Sequence, residues 1–198
     1  MNAPSAVEHV TQTHIFRLPG GESVVVRAIG PQDADRLQAY MRNLSGPTRR
    51  NRFLGAVSEL TPKELERLTH MSGPGEVALV AFVGGETAMI AETVQVIAPE
   101  SRRCEIALSV TDVWQRKGLG TLLLANMECR ARMLGARCLV GEVLRTNEAM
   151  KGLARKAGFT IRGPFKDARL IEIVKDLSSP QTGLPCRELF SVPQPIAA

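Results

Sequence analysis

The chain has 198 residues, of which 44% are hydrophobic and 23% charged, the profile of one globular domain with room for a core. Its net charge of +5 suits an anionic ligand, but one Trp, one Tyr and no basic tail argue against nucleic-acid binding. The four cysteines form no C-x-x-C and the three histidines are scattered, so no metal site is expected. No apolar run approaches a membrane span, and the first ten residues lack the basic start and apolar middle of a signal peptide. A soluble protein of the cytoplasm is the resulting expectation.

Residues 1–13 are small and polar, and are expected to be mobile. His14–Leu18 and Glu22–Ile29 read as strands around the turn Pro19-Gly20-Gly21, a hairpin at a sheet edge. Pro31 and Asp33 suit a first helical turn, and Leu37, Tyr40, Met41 and Leu44 follow at helical spacing. Ser45-Gly46-Pro47 breaks that helix. Arg49–Leu54 reads as a short helix whose three arginines, Arg49, Arg50 and Arg52, form a solvated face. Thr61 caps a helix with Pro62 in its first turn, running to about Met71.

Glu76–Val83 reads as a buried strand, Gly84-Gly85 as a hairpin turn, and Glu86–Ile97 as the returning strand. Arg102–Val110 is the next strand. It feeds the turn Gln115-Arg116-Lys117-Gly118-Leu119-Gly120 and a helix from about Gly118 to Leu134, expected to lie on the sheet with one face wet. Arg137–Leu144 is then a strand parallel to Arg102–Val110, because a helix crosses between them. Asn147 caps a helix from Glu148 to about Ala157, and Phe159–Gly163 and Ala168–Val174 close the sheet. Residues 176–198 are proline-containing and without periodicity, and read as a mobile tail. The fold class is therefore α/β (a mixed α+β sheet): antiparallel strands with one central parallel crossover, in one domain over 14–175.

A strand entering a glycine-bearing turn at a helix start offers backbone N–H groups to phosphate. The turn is neither G-x-x-x-x-G-K-[ST] nor G-x-G-x-x-G; it matches Q/R-x-x-G-x-G/A. With that turn stand Val26–Asp33, Arg52-Phe53-Leu54 and Gly141–Met150. On these residues the chain resembles the GNAT superfamily of acetyl-CoA-dependent N-acetyltransferases across about 14–175. Its look is nearest to the GNAT domain of bacterial protein lysine acetyltransferases.

The resemblance implies acetyl-CoA as cosubstrate and direct acetyl transfer to a primary amine in a ternary complex. A protein lysine is the leading acceptor. A small amine or amino acid, or a non-catalytic acyl-CoA sensor, are the alternatives, and the protein would be a monomer or homodimer. Gln115, Arg116, Lys117, Gly118, Leu119, Gly120 and Thr121 would hold the pyrophosphate; Arg116 and Lys117 either add charge there or point to solvent. Leu108, Ser109 and Val110, splayed from the next strand, would bind the pantetheine arm and polarise the thioester carbonyl. Asn147 either reaches the pantetheine or is a plain cap.

Glu105 is the candidate base. Strand alternation places it with Ala107 and Ser109 on one face, and relatives use a glutamate in this strand. The competing reading pairs it with Arg102 or Arg103, and Glu142 is the second candidate. The tyrosine acid of many family members, seven residues after the Asn, falls here on Ala154, and the chain's only Tyr is Tyr40.

Overall fold

The computed structural model describes residues 13–71, 73, 75–84, 88–163 and 167–178. The segments expected to be mobile lie outside these residues, apart from Thr13 and Asp176–Ser178, and so do Gly85–Thr87 of the second hairpin turn.

Among the described residues, eight strands form one sheet: β1 His14–Arg17, β2 Ser23–Ala28, β3 Glu76–Val83, β4 Ala88–Ile97, β5 Arg103–Val110, β6 Cys138–Leu144, β7 Thr160–Arg162 and β8 Leu170–Asp176. Their order is β1-β2-β3-β4-β5-β6-β8-β7. Every neighbouring pair is antiparallel except β5 and β6. The one parallel pair needs a crossover, and α4 (Leu119–Met133) supplies it. The other helices are α1 Ala34–Asn43, α2 Gly46–Phe53, α3 Pro62–Thr69 and α5 Glu148–Lys156.

The helix starts follow their capping chemistry. Pro31 opens a 3₁₀ turn that leads into α1, and the Asp33 carboxylate accepts from Gly30 N–H (2.9 Å) and Arg27 Nη1 (2.7 Å). Thr61 and Glu64 form a reciprocal capping box at α3. Ser45-Gly46-Pro47 ends α1 and also begins α2, because the Ser45 hydroxyl accepts from Thr48 N–H (3.3 Å) and Pro47 stands in the first turn.

Helices cover both faces of the sheet. On one, α4 and α5 bury Cys104, Ile106, Met127, Leu139, Phe159 and Ile173 in one cluster, and Val26, Leu79, Ile90, Leu119 and Leu123 in a second. On the other, α1 and α3 bury Leu37, Tyr40, Met41, Leu44 and Leu68.

α4 keeps an accessible arc at Thr121, Leu122, Ala125, Arg132 and Met133, but Asn126, Glu128 and Arg130 are buried along with its apolar residues. Polar positions can enter a core when they pair there. The Glu128 carboxylate accepts from Lys175 Nζ (2.6 Å) and Arg132 Nη2 (3.0 Å), and Arg130 Nε donates to Asn126 Oδ1 (2.6 Å). Burial lowers Arg130 to a pKa of about 10, which still leaves it charged at neutral pH.

The feature that positions the site is a failure of pairing. β5 pairs with β4 from Cys104 to Val110, but with β6 only at Arg103↔Cys138, Cys104↔Leu139 and Glu105↔Val140. Beyond Glu105 the parallel neighbours part, while β6 stays paired with β8 out to Leu144. A V-shaped gap opens in mid-sheet. Gly141 stands where it begins; a Cβ there would meet Ile106 O at 3.2 Å and Ile173 Cγ1 at 3.3 Å.

Candidate active site

A cleft of about 630 Å³ occupies the gap and runs along the start of α4. Ile106–Val110 form one wall, Gly141, Glu142 and Val143 the other, and the turn before α4 closes one end. The edge of β5 that β6 abandons offers backbone N–H and C=O groups to an extended ligand, as an exposed strand edge does.

The turn holds its shape through left-handed backbone at Arg116 (φ 60°) and Gly118 (φ 89°). A side chain at Gly118 would be strained by that φ and would meet Pro19 Cδ at 3.2 Å. The first intrahelical bond runs from Leu122 N–H to Gly118 O (3.0 Å), so the N–H groups of Leu119, Gly120 and Thr121 have no carbonyl of α4 to meet. They point out of a helix N-terminus, where an anion is favoured. Gly120 also lets α4 approach α5, since a Cβ there would lie 3.2 Å from Leu153 Cδ2.

Of the residues singled out in the sequence, Leu108, Ser109, Val110, Gln115, Arg116, Gly118, Gly120, Thr121 and Asn147 line the cleft. Lys117 does not: its Nζ lies 4.5 Å above the Trp114 ring and 4.0 Å from Glu22 Oε1. The Leu119 side chain is fully buried in the core, which leaves its N–H as its contribution to the turn. Asn147 caps α5, with Oδ1 accepting from Met150 N–H (3.0 Å), and it also lines the cleft.

Glu105 is exposed, on the last paired rung of β5 and β6, on the face it shares with Ala107 and Ser109. It stands below the cleft rather than in its wall. Neither arginine offered as its partner takes it: Arg103 pairs with Glu172, and Arg102 Nε donates to Gly135 O (2.6 Å). Glu142, across the gap, is exposed and does line the cleft. Ala154, at the place of the usual tyrosine, is fully buried in the core and does not line the cleft.

Sequence reasoning misread Arg52 and missed Glu92. Arg52 is no part of a solvated face. Its Nε and Nη2 meet Glu92 Oε1 (2.5 Å) and Oε2 (3.1 Å), with side chains 10% and 6% exposed. Ser109 Oγ donates to Glu92 Oε1 (2.7 Å), so Tyr40 OH donates to Ser109 Oγ (2.9 Å). Arg49, too, is engaged: its Nη1 donates to Arg42 O (3.0 Å) at the end of α1.

Burial works against the Arg52 charge, but the Glu92 carboxylate more than offsets it and holds Arg52 above the ordinary arginine pKa. Burial, and next the Glu92 charge, push the Tyr40 phenol well above its ordinary value. Arg52 and Ser109 line the cleft, so the network forms part of its wall. The one sequence signal was a glutamate inside the apolar strand Ala88–Ile97, where a charge needs a partner.

Four likenesses bear on this architecture. The acetyltransferase (GNAT) family model matches residues 40–159. An acetyltransferase of Pseudomonas aeruginosa is 30% identical over 144 residues, covering 72% of this chain and 77% of its own length. The crystal structure of the GNAT domain of S. lividans PAT superposes with a TM-score of 0.79 at 26% identity, covering 89% of this chain and 100% of that domain. A spermidine N-acetyltransferase from Vibrio cholerae, solved with CoA and spermine, shares the fold: TM-score 0.64, 18% identity, 78% of this chain and 96% of that one. A sheet split beside a glycine-bearing turn at a helix N-terminus, in that company, defines an acyltransferase enzyme. The chain belongs to the acetyltransferase (GNAT) family.

Proposed function

We propose that this protein moves an acetyl group from acetyl-CoA to a primary amine, with a protein lysine as the acceptor. The observation that carries the proposal is the parting of β5 from β6 after Glu105, beside the N–H-rich turn Gln115–Thr121. The residues present fit the cosubstrate. The turn would take the pyrophosphate, the freed edge at Leu108–Val110 would take the pantetheine arm as an added strand, and Asn147 would meet it from α5. When bound, acetyl-CoA supplies an activated thioester carbonyl.

An N–H of the Leu108–Val110 edge is the donor available to a developing oxyanion. A lysine amine titrates near ~10.4 and must lose a proton to attack. Glu105, exposed on the last paired rung below the cleft, would receive that proton directly or through water. With Ala154 buried, no side chain seven residues after Asn147 protonates the leaving thiol. A thiol of pKa ~8.5 leaves tolerably as thiolate. Glu142 is exposed in the cleft wall and Glu105 is exposed below it, which suits a lysine presented on a protein surface. A small polyamine is the second reading, supported by the exposed Glu142 carboxylate in the cleft wall.

Thiol release from acetyl-CoA, measured against a panel of polyamines, amino acids and lysine-bearing proteins, separates the two acceptors. Glu105→Gln is expected to cut turnover by about 10²–10⁴ with CoA affinity unchanged. Unchanged turnover would remove Glu105 from the mechanism, and absence of CoA binding would sink the proposal.

A further inference from the structure

The short helix α2 forms one side of the cleft: Thr48, Asn51 and Arg52 face it together with Gln115 and Arg116. Its two ends are held differently. At the C-terminal end the buried Arg52–Glu92 pair ties it to β4. At the N-terminal end the ties go to the segment that leads into the phosphate turn.

The Asp112 carboxylate accepts three hydrogen bonds from that end: Ser45 N–H to Oδ2 (3.1 Å), Ser45 Oγ to Oδ1 (2.7 Å) and Thr48 Oγ1 to Oδ1 (2.8 Å). Gln115, the first residue of the turn, donates through Nε2 to both Thr48 Oγ1 (3.2 Å) and Val110 O (3.0 Å). One amide thus bridges α2, the end of β5 and the turn. Asp112 lies 67 residues from Ser45 in the chain, so these contacts are tertiary and not a local cap. The bonds to Asp112 are charge-assisted, and so stronger than bonds between neutral groups.

We propose that Asp112 and Gln115 are positioning residues that latch α2 to the phosphate turn, so that filling the turn steadies the helix on the acceptor side of the cleft. The inference rests on the reading of Gln115–Thr121 as a CoA pyrophosphate site. A ligand that reaches only the turn changes α2 through these hydrogen bonds, a coupling between two positions of one cleft.

The test is amide hydrogen exchange by mass spectrometry, on the wild type, Asp112→Ala and Thr48→Val, each with and without saturating CoA. In the wild type, CoA is expected to slow exchange at 116–121 and also at 46–53, the latter on the order of fivefold or more. Asp112→Ala is expected to keep the protection at 116–121 and lose it at 46–53. Thr48→Val, which leaves the carboxylate in place, is expected to lose part of it. It serves as the test if Asp112→Ala fails to fold. The KM for the amine should rise in both variants with the KM for acetyl-CoA little changed.

Equal protection of 46–53 in wild type and variants, or none in the wild type while 116–121 is protected, would overturn the latch and leave the CoA site standing. No protection at 116–121 in the wild type would overturn the CoA reading itself, and the latch with it.

Discussion

Replacing Arg52 by Met tests the buried charge pair that underlies the cleft wall. The guanidinium and the Glu92 carboxylate are 10% and 6% exposed and meet through two hydrogen bonds. Methionine matches the arginine stem and fills the space, but it leaves Glu92 desolvated with the Ser109 hydroxyl as its remaining side-chain donor. Removing one partner of a buried pair costs about 3–5 kcal/mol, mostly from the charge left behind. In a chain of this length each kcal/mol moves Tm by about 2–4 °C, so a fall of roughly 6–20 °C is expected by calorimetry. Arg52→Met with Glu92→Gln removes both charges and keeps an acceptor for Ser109. That double variant should recover most of the loss, to within about 2 kcal/mol of the wild type. A single variant that costs under about 1 kcal/mol, or a double variant no better than the single one, would refute the account of this pair.

Tyr40→Phe removes the donor to Ser109 and should cost about 1 kcal/mol in urea unfolding, with a larger loss if Ser109 then swings into the cleft. Gly118→Ala forces a side chain to φ 89° and against Pro19; a loss of about 1–2 kcal/mol and a weaker CoA titration are expected. Asp33 is held below the ordinary aspartate value of 3.8, first by its hydrogen bond from Arg27. A depressed carboxylate stabilises the fold above its unfolded pKa and ceases to as pH falls through its folded one. The stability gap between wild type and Asp33→Asn should therefore be full at neutral pH and shrink in acid below about 3.8, read by denaturant midpoints across pH.

Much of the sheet was readable because the strands are short apolar runs set off by Gly and Pro. The parallel crossover followed from a helix lying between Arg102–Val110 and Arg137–Leu144. The turn Gln115–Gly120 left its mark in Gly118, where left-handed backbone demands glycine, and Asn147 announced its cap. Other features are set by distant partners and leave no local trace. Arg52 sits among arginines on a short polar helix and looks solvated, yet its carboxylate comes from 40 residues away. Glu128 reads as the wet side of an amphipathic helix until Lys175, 47 residues on, meets it. The point at which β5 and β6 stop pairing is a matter of register in three dimensions, and Gly141 alone hints at it.

The central claim is that a CoA cosubstrate lies in the gap between β5 and β6 with its pyrophosphate on the turn before α4. Titration of CoA into isotope-labelled protein, followed by backbone amide shifts, tests it most directly. The account predicts the largest shifts at Leu108–Val110 and Gln115–Thr121, with Asn147 next and the edge strand His14–Arg17 unmoved. Shifts concentrated elsewhere, or none at millimolar CoA, would contradict it.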